Sequence, residues 1–318
     1  MITYRSFDEI PEGAFSAGTA VAIGKFDGIH LGHAALLARL GEVAEREGLE
    51  PVVLTFTNNP LSVLRPEASP PPIMSQQQRL DELERQGVKT CVMVPFDAEL
   101  AEVSAEDFVQ RVLVDLLQVR YLCLGTDFRF GHAGLGDRKL LARMGDRFGY
   151  QVEVIEDIAD EELGRVSSSR IREAILQGDV GAAAHMLGRL VAVRGTVVHG
   201  DSRGRELGFP TANVGPGDSE IEGLVPAEGV YAGWAIIDGV PYQAAISVGV
   251  NLTFDPEGDP RVEAYLLDFE GDLYGSRIEV RFLGRLRGMV AFSGIDALVA
   301  RMHEDVRETR AILIGQHP

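Results

Sequence analysis

Between residue 20 and about residue 180, short apolar runs alternate with stretches whose apolar residues recur every three or four positions. That alternation is the sequence form of a parallel sheet wrapped by helices. The expected strands are Ala20 to Gly24, Pro51 to Phe56, Val88 to Val94, Tyr121 to Leu124 and Gln151 to Ile155. Between the first two, Leu36, Leu40 and Val43 recur at helical spacing with charges on the opposite side, which predicts an amphipathic helix. Ser75 with Gln78, and Ser104 with Asp107, have the spacing of capping boxes and mark two further helix starts. SPPPI at 69–73 reads as a stiff surface loop.

The pattern changes near Leu187 to Leu190. Beyond it, LVAVRGTVV, GVYAGWAIID, VPYQAAISVG, RVEAYLLDF and SRIEVRFLG are short runs rich in Val, Ile, Tyr and Phe, split by Gly, Pro and Asp. Such spacing predicts an antiparallel barrel or sandwich. Ile295, Leu298, Val299, Met302, Val306 and Ile312 then form a helical stripe, expected to cover it.

At 318 residues the chain is about two domains long, each large enough for its own core. The division is expected as 1–188 and 189–318. A formal net charge of −18 repels nucleic acid and anionic membranes, so neither is an expected partner. It does not exclude ATP, which is captured by local amides, a few Arg or His, and a metal ion. Cys91 and Cys123, the only cysteines, sit in apolar runs and read as core residues. No apolar run approaches the ~20 residues of a membrane span, and MITYRSFDEI lacks a secretory pattern. A cytoplasmic protein is expected.

Three segments of the first half carry candidate chemistry. GKFDGIHLGH, Gly24 to His33, lies where the first strand meets the first helix, the place where open parallel sheets bind ligands. Gly28 and Gly32 permit close backbone approach, and His30 and His33 flank a helix start whose amides attract phosphate. The alternative is a Gly-containing turn with two surface histidines. GTDFRFGHAGLGD, Gly125 to Asp137, follows a strand, and SSSRIR, Ser167 to Arg172, opens a helix that Ser168 and Ser169 are expected to cap. Taken singly, these are also an aromatic turn and an ordinary cap.

In the second half, RGRELGFPTAN, Arg203 to Asn213, leads from a Gly-containing approach through Phe209 and Pro210 to Thr211 and Asn213. Those two oxygen donors alternate, so both can face one side of an extended strand and suit Mg²⁺ between protein and phosphates. Glu263 stands in the apolar strand RVEAYLLDF; a carboxylate there ordinarily points to solvent.

The GxFDGxHxGH string, the DFRFG loop and SSSRIR resemble, in order, the FMN adenylyltransferase branch of the HxGH nucleotidyltransferase superfamily. PTAN, the VExxLLDF string around Glu263, GVYAGWA, SVGVNLTF and DLYG resemble riboflavin kinases. Together the likeness spans nearly the whole chain and is that of the prokaryotic FAD synthetase family, bifunctional riboflavin kinase/FMN adenylyltransferases. It implies a Rossmann-like α/β domain followed by an antiparallel β-barrel with a closing helix. It implies ATP as co-substrate, Mg²⁺, and riboflavin, FMN and FAD as substrates or products. For adenylyl transfer it implies His30, His33 and Arg172 on ATP phosphates. Gly24, Phe26, Asp27, Gly28, Gly32, Asn59, Asp127, Phe128, Ser168 and Ser169 would line the ATP and FMN sites, with Asp27 bracing its loop. For phosphorylation it implies Glu263 as base and Thr211 and Asn213 at the metal, with Gly204, Gly208, Phe209, Pro210, Asn251 and Arg287 around ATP and flavin.

Four positions depart from the family's strings. Asn59 replaces a common His, Ser169 a usual Thr, Leu252 a usual Pro, and Met289 the Glu of an RxE pattern. These leave open a paralogue with one activity or a flavin-analogue substrate, and a flavin-binding module without turnover is the reading from another class. Oligomeric state is not legible.

Overall fold

In a computed structural model of the protein, residues 1–156, 158–160, 164–200, 207–215, 221–249 and 261–318 are described. They form two compact units, Met1–Val166 and Ser167–Pro318.

The strands of the first unit are β1 (Ile2–Tyr4), β2 (Thr19–Ile23), β3 (Glu50–Phe56), β4 (Thr90–Val94), β5 (Val119–Gly125) and β6 (Gln151–Ile155). They make one parallel sheet in the order β1-β4-β3-β2-β5-β6. A small hairpin, β7 (Ala159–Asp160) with β8 (Gly164–Arg165), follows. The helices are α1 (Leu31–Glu47), α2 (Leu61–Leu64), α3 (Gln76–Arg85), α4 (Ala98–Glu102), α5 (Ala105–Asp107) and α6 (Arg138–Phe148), and α5 runs directly into a π-type turn, Phe108–Leu116.

The two-residue pleat explains why these strands are apolar throughout. Val21, Ile23, Leu54, Leu122 and Leu124 face one side, against Phe108, Leu113 and Leu141. Ala20, Ala22, Val53, Cys91 and Cys123 face the other, against Leu36 and Leu40 of α1 and Leu83 of α3. Both cysteines are free and fully buried, and burial pushes their thiols up to about 12, so both stay protonated core residues at neutral pH.

The second unit opens with α7 (Ser168–Gln177) and α8 (Val180–Leu187) and continues through β9 (Val191–Val198), β10 (Thr211–Val214), β11 (Gly229–Ile237), β12 (Val240–Gly249), β13 (Arg261–Leu266) and β14 (Arg277–Arg287) to α9 (Ile295–Leu313). The strands close an antiparallel barrel in the order β10-β13-β12-β11-β14-β9. Closure resolves the barrel-or-sandwich ambiguity, because β9 and β10 pair and leave no edge. Val193, Val197, Ile246, Val280 and Phe282 fill the interior at alternate positions. The outer face of β11 is buried as well, because α9 packs on β11 and β12. α9 is tied down by Arg287, which makes a bidentate pair with the buried Asp305 at 2.9 and 2.7 Å. Among the described residues, no helix is long and apolar enough to cross a membrane.

Several elements differ from expectation. β1 lies within the N-terminal stretch set aside for lacking a secretory pattern; it pairs with β4. β4 begins at Thr90, two residues late, although Val88 is buried. The Ser75 and Ser104 caps form as expected, with both bonds of the Ser75–Gln78 box present. The cap of α7 is instead Ser167, whose hydroxyl accepts from Arg170 N; Ser168 and Ser169 are the first two helical residues. A cap bonds an amide two or three positions on, so the first of three serines takes the role.

On the barrel's outer surface Glu279 of β14 lies opposite Arg194 of β9. Its oxygens accept from Arg194 at 2.5 Å and from Arg281 at 2.6 Å. Burial alone would raise this carboxyl's pKa, but the two guanidinium bonds outweigh it and hold it below the ordinary glutamate value. A folded carboxyl that holds its proton more weakly than the unfolded one stabilises fully above the unfolded value, about 4.3. That contribution disappears as pH falls through the lower folded value. Glu279→Gln should therefore cost stability at pH 7 and flatten the acid limb, measured by urea unfolding from pH 7 to 3. An unchanged acid limb would remove this pair from the account.

Candidate active sites

Strands add outward in opposite directions from the gap between β2 and β5, which makes that gap the switch point of the sheet. β2 ends into Gly24–His33, and β5 ends into Gly125–Asp137. Two of the three first-half motifs thus sit at neighbouring carboxyl ends of the sheet.

The first loop is held in an unfavourable backbone. Phe26, Gly28 and Ile29 have φ of +49°, +87° and +41°. A left-handed non-glycine residue costs about 1–3 kcal/mol, whereas burying a Phe or Ile side chain contributes about 1.5–3 kcal/mol. Phe26 and Ile29 are both about 1 % exposed, so their burial offsets the strain. Asp27 accepts from the amides of Ile73 and Met74 at 2.9 and 3.4 Å, bracing the loop and anchoring the end of the SPPPI segment.

His30 caps α1 by accepting from His33 N through Nδ1, a long bond of 3.4 Å that places the ring proton on Nε2. The His30 and His33 rings stack at 3.9 Å, and Phe26 packs on His33. Gly24 lies under the Phe26 ring and Gly32 under the His30 ring. Two imidazoles and a helix N-terminus are therefore held together, a set that can stabilise charge developing on phosphate. Asn59, after β3, accepts from Leu61 N and starts α2.

In the loop after β5, Phe128 stacks on Phe130 at 5.7 Å, and Asp127 pairs with Arg165 at 3.2 Å. Both pair members are well exposed. Ser168, Ser169 and the buried Arg172 are carried by α7, in the second unit.

The second site is built on the outer face of the barrel. In β10 and β13, Ala212, Val214, Val262 and Ala264 point inward, so Thr211, Asn213 and Glu263 point outward together. Asn213 is the direct cross-strand partner of Glu263, and the Thr211 hydroxyl donates to the Glu263 carboxylate at 3.4 Å. Three oxygen-bearing side chains thus converge across two strands. The backbone of Gly200 lies over Asn213: a Cβ there would come within 2.4 Å of its amide nitrogen. Phe209 is buried at the entry to β10, with its ring edge-on to Tyr265 of β13 at 5.2 Å and to His303 of α9 at 4.9 Å. Gly208 precedes it with φ +85°. Gly204, Asn251 and Leu252 lie outside the described residues.

Oxygen donors alone, two of them neutral, suit a hard cation that keeps waters and binds nucleotide phosphates. Among the described residues no group of three or more His, Cys, Asp or Glu could cage a metal.

Sequence reasoning passed over Ser247, Gly200 and His303. Ser247 of β12 lies opposite Glu263 and touches Met289 Sδ at 3.9 Å, which brings that departing residue to the edge of the site. Arg287, expected at the ligand, is engaged by Asp305. Only register and helix docking reveal these contacts; no motif spans them.

The FAD synthetase family model matches residues 13–170, and the riboflavin kinase family model matches residues 187–313. The bifunctional riboflavin kinase/FMN adenylyltransferase of Pseudomonas fluorescens is 37 % identical over 295 residues, covering 93 % of this chain and 93 % of its own. The protein of the same name from Listeria monocytogenes is 33 % identical, covering 92 % and 91 %. A Streptococcus pneumoniae crystal structure, of a protein named macrolide-efflux protein, superposes with a TM-score of 0.83 at 32 % identity over 97 % of this chain and 98 % of that one. That last name stands apart from the other two, but the fold is shared over nearly the whole chain. Identity above 30 % over nine-tenths of both chains places the protein in the bifunctional riboflavin kinase/FMN adenylyltransferase family.

Proposed function

We infer that the chain makes FAD in two steps, phosphorylating riboflavin to FMN with ATP and adenylylating FMN to FAD with release of pyrophosphate. The observation that carries the reading is the convergence of Thr211, Asn213 and Glu263 on one outward barrel face, in a chain whose other unit presents His30 and His33 at its switch point. Relatives matching over both halves support two activities rather than one.

In the kinase reaction, Glu263 takes the proton of the terminal ribityl hydroxyl. That oxygen attacks the γ-phosphorus, the bond to the β–γ bridging oxygen breaks, and ADP departs. Glu263 carries the one carboxyl group of the converging three, which fits it to the role of base. Thr211 and Asn213 would hold Mg²⁺, which supplies neutralisation of phosphate charge when bound. Gly208, Phe209 and Pro210 set the entry of β10, and Arg287 fixes α9 over the barrel. Gly204 and Asn251 are assigned to ATP and flavin on the family's strings.

In the adenylyl transfer, an FMN phosphate oxygen attacks the α-phosphorus of ATP and the α–β bond breaks. No proton has to move. His30 through Nε2–H, His33, the amides opening α1 and Asn59 would hold the phosphates, while Arg172, Ser168 and Ser169 are assigned to ATP on the family's strings. Asp127 and Phe128 would border FMN. Two protonated, buried thiols and a need for ATP at both sites support a cytoplasmic setting.

His30→Ala should lower FAD formation on the order of 10²- to 10³-fold while riboflavin phosphorylation stays near wild type. Glu263→Gln should cut FMN formation about 10²- to 10⁴-fold while FAD is still made from supplied FMN. Chromatography of the flavins with each substrate separately reads both results, and either variant silencing both steps would end the assignment of independent sites. Gly200→Ala should displace Asn213 and raise the KM for ATP with Mg²⁺ in the kinase step alone; an unchanged KM would take Asn213 out of the metal-nucleotide site.

A further inference from the structure

Arg79 of α3 is a charged residue only 7 % exposed, and the mechanism above does not use it. Its Nη1 donates to the carbonyl of Lys25 at 2.9 Å and its Nη2 to the carbonyl of Thr57 at 3.2 Å. Lys25 lies just past β2 and Thr57 just past β3, so a single guanidinium joins the exits of two neighbouring parallel strands. The Thr55 hydroxyl donates to the same Lys25 carbonyl at 3.1 Å.

Burying an ionised group is costly, and hydrogen bonds to neutral carbonyls recover only part of the cost. Burial lowers the Arg79 pKa, with the Asp27 charge working the other way, yet an arginine remains charged in this range. A residue kept for packing alone would be replaced favourably by Met or Leu. The fixed fork of a guanidinium does what those cannot, reaching two carbonyls on different strands at once.

The consequence falls on the loops that follow. In a trans peptide the C=O and N–H point in opposite directions, so drawing the Lys25 and Thr57 carbonyls onto Arg79 aims the amides of Phe26 and Asn58 away from it. The lacing is reciprocal: α3 holds the Gly24–His30 loop through Arg79, and that loop holds the chain entering α3 through Asp27 and the amides of Ile73 and Met74. Arg79 also leaves a fixed positive charge beneath the strand ends where a triphosphate would lie.

We propose that Arg79 is a positioning residue for adenylyl transfer, setting the loops after β2 and β3 in register with one another and biasing the field toward the ATP phosphates. This rests on the adenylyltransferase reading. The test uses full-length wild type, Arg79→Lys and Arg79→Met, with both half-reactions assayed separately and thermal unfolding followed by far-UV circular dichroism. Arg79→Met should remain folded and lose about 100-fold in kcat for FAD formation, the size expected for a misplacement near 1 Å, with the KM for FMN nearly unchanged. Arg79→Lys, which keeps the charge and one carbonyl bond, should recover part of that loss. Riboflavin phosphorylation should stay at the wild-type rate in both. Adenylyl transfer within about twofold of wild type in folded variants would overturn the proposal, since a 100-fold loss is what the misplacement predicts. So would unfolding of both variants with a matching loss of activity, which would make Arg79 purely architectural. Wild type that makes no FAD would instead overturn the underlying reading.

Discussion

A β-strand must turn successive side chains to opposite faces, and both sites depend on that alternation. In the parallel sheet the two faces are both covered, so every position of β2 is apolar or small and chemistry is possible only where the strand ends. In the barrel one face is interior, so alternate positions of β10 and β13 are free to carry Thr211, Asn213 and Glu263 outward. The same periodicity therefore gives a site made of loops in one unit and a site made of strand faces in the other.

The two solutions place their energetic difficulties differently. The loop after β2 adopts left-handed conformations at Phe26 and Ile29, offsets them by burying both side chains, and adds a buried guanidinium beneath. The barrel site is less strained: its polar groups stand on regular strands, and the close fit comes from Gly200 over Asn213 and from Phe209 wedged between Tyr265 and His303. α9 takes part in that wedge, held by Arg287 and Asp305. Helix docking and ligand-side geometry are thus connected through a few ring contacts.

Much of this was legible in the residues. Apolar runs located five of the six parallel strands, and the strings around His30, Asp127, Thr211 and Glu263 carry the resemblance to both enzyme families. What was not legible involves contacts between elements distant in sequence. β1 is too short for a periodicity to register. The opposition of Ser247 to Glu263 is a fact of register, and the bond from Arg79 to Lys25 spans 54 positions. Ser167 rather than Ser168 or Ser169 caps α7; three consecutive serines satisfy the same rule, and only the backbone decides among them. The place of Met289 beside Ser247, and so near Glu263, is likewise given only by the fold.

A chain that makes FAD from riboflavin breaks two different bonds of ATP, the β–γ linkage in the kinase step and the α–β linkage in the adenylyl transfer. Phosphorus NMR of a complete reaction containing riboflavin, ATP, Mg²⁺ and purified protein reads both leaving groups directly. One ADP and one pyrophosphate are expected for every FAD formed, with FMN appearing before FAD. Release of only one of the two, or FAD formed without ADP, would contradict it.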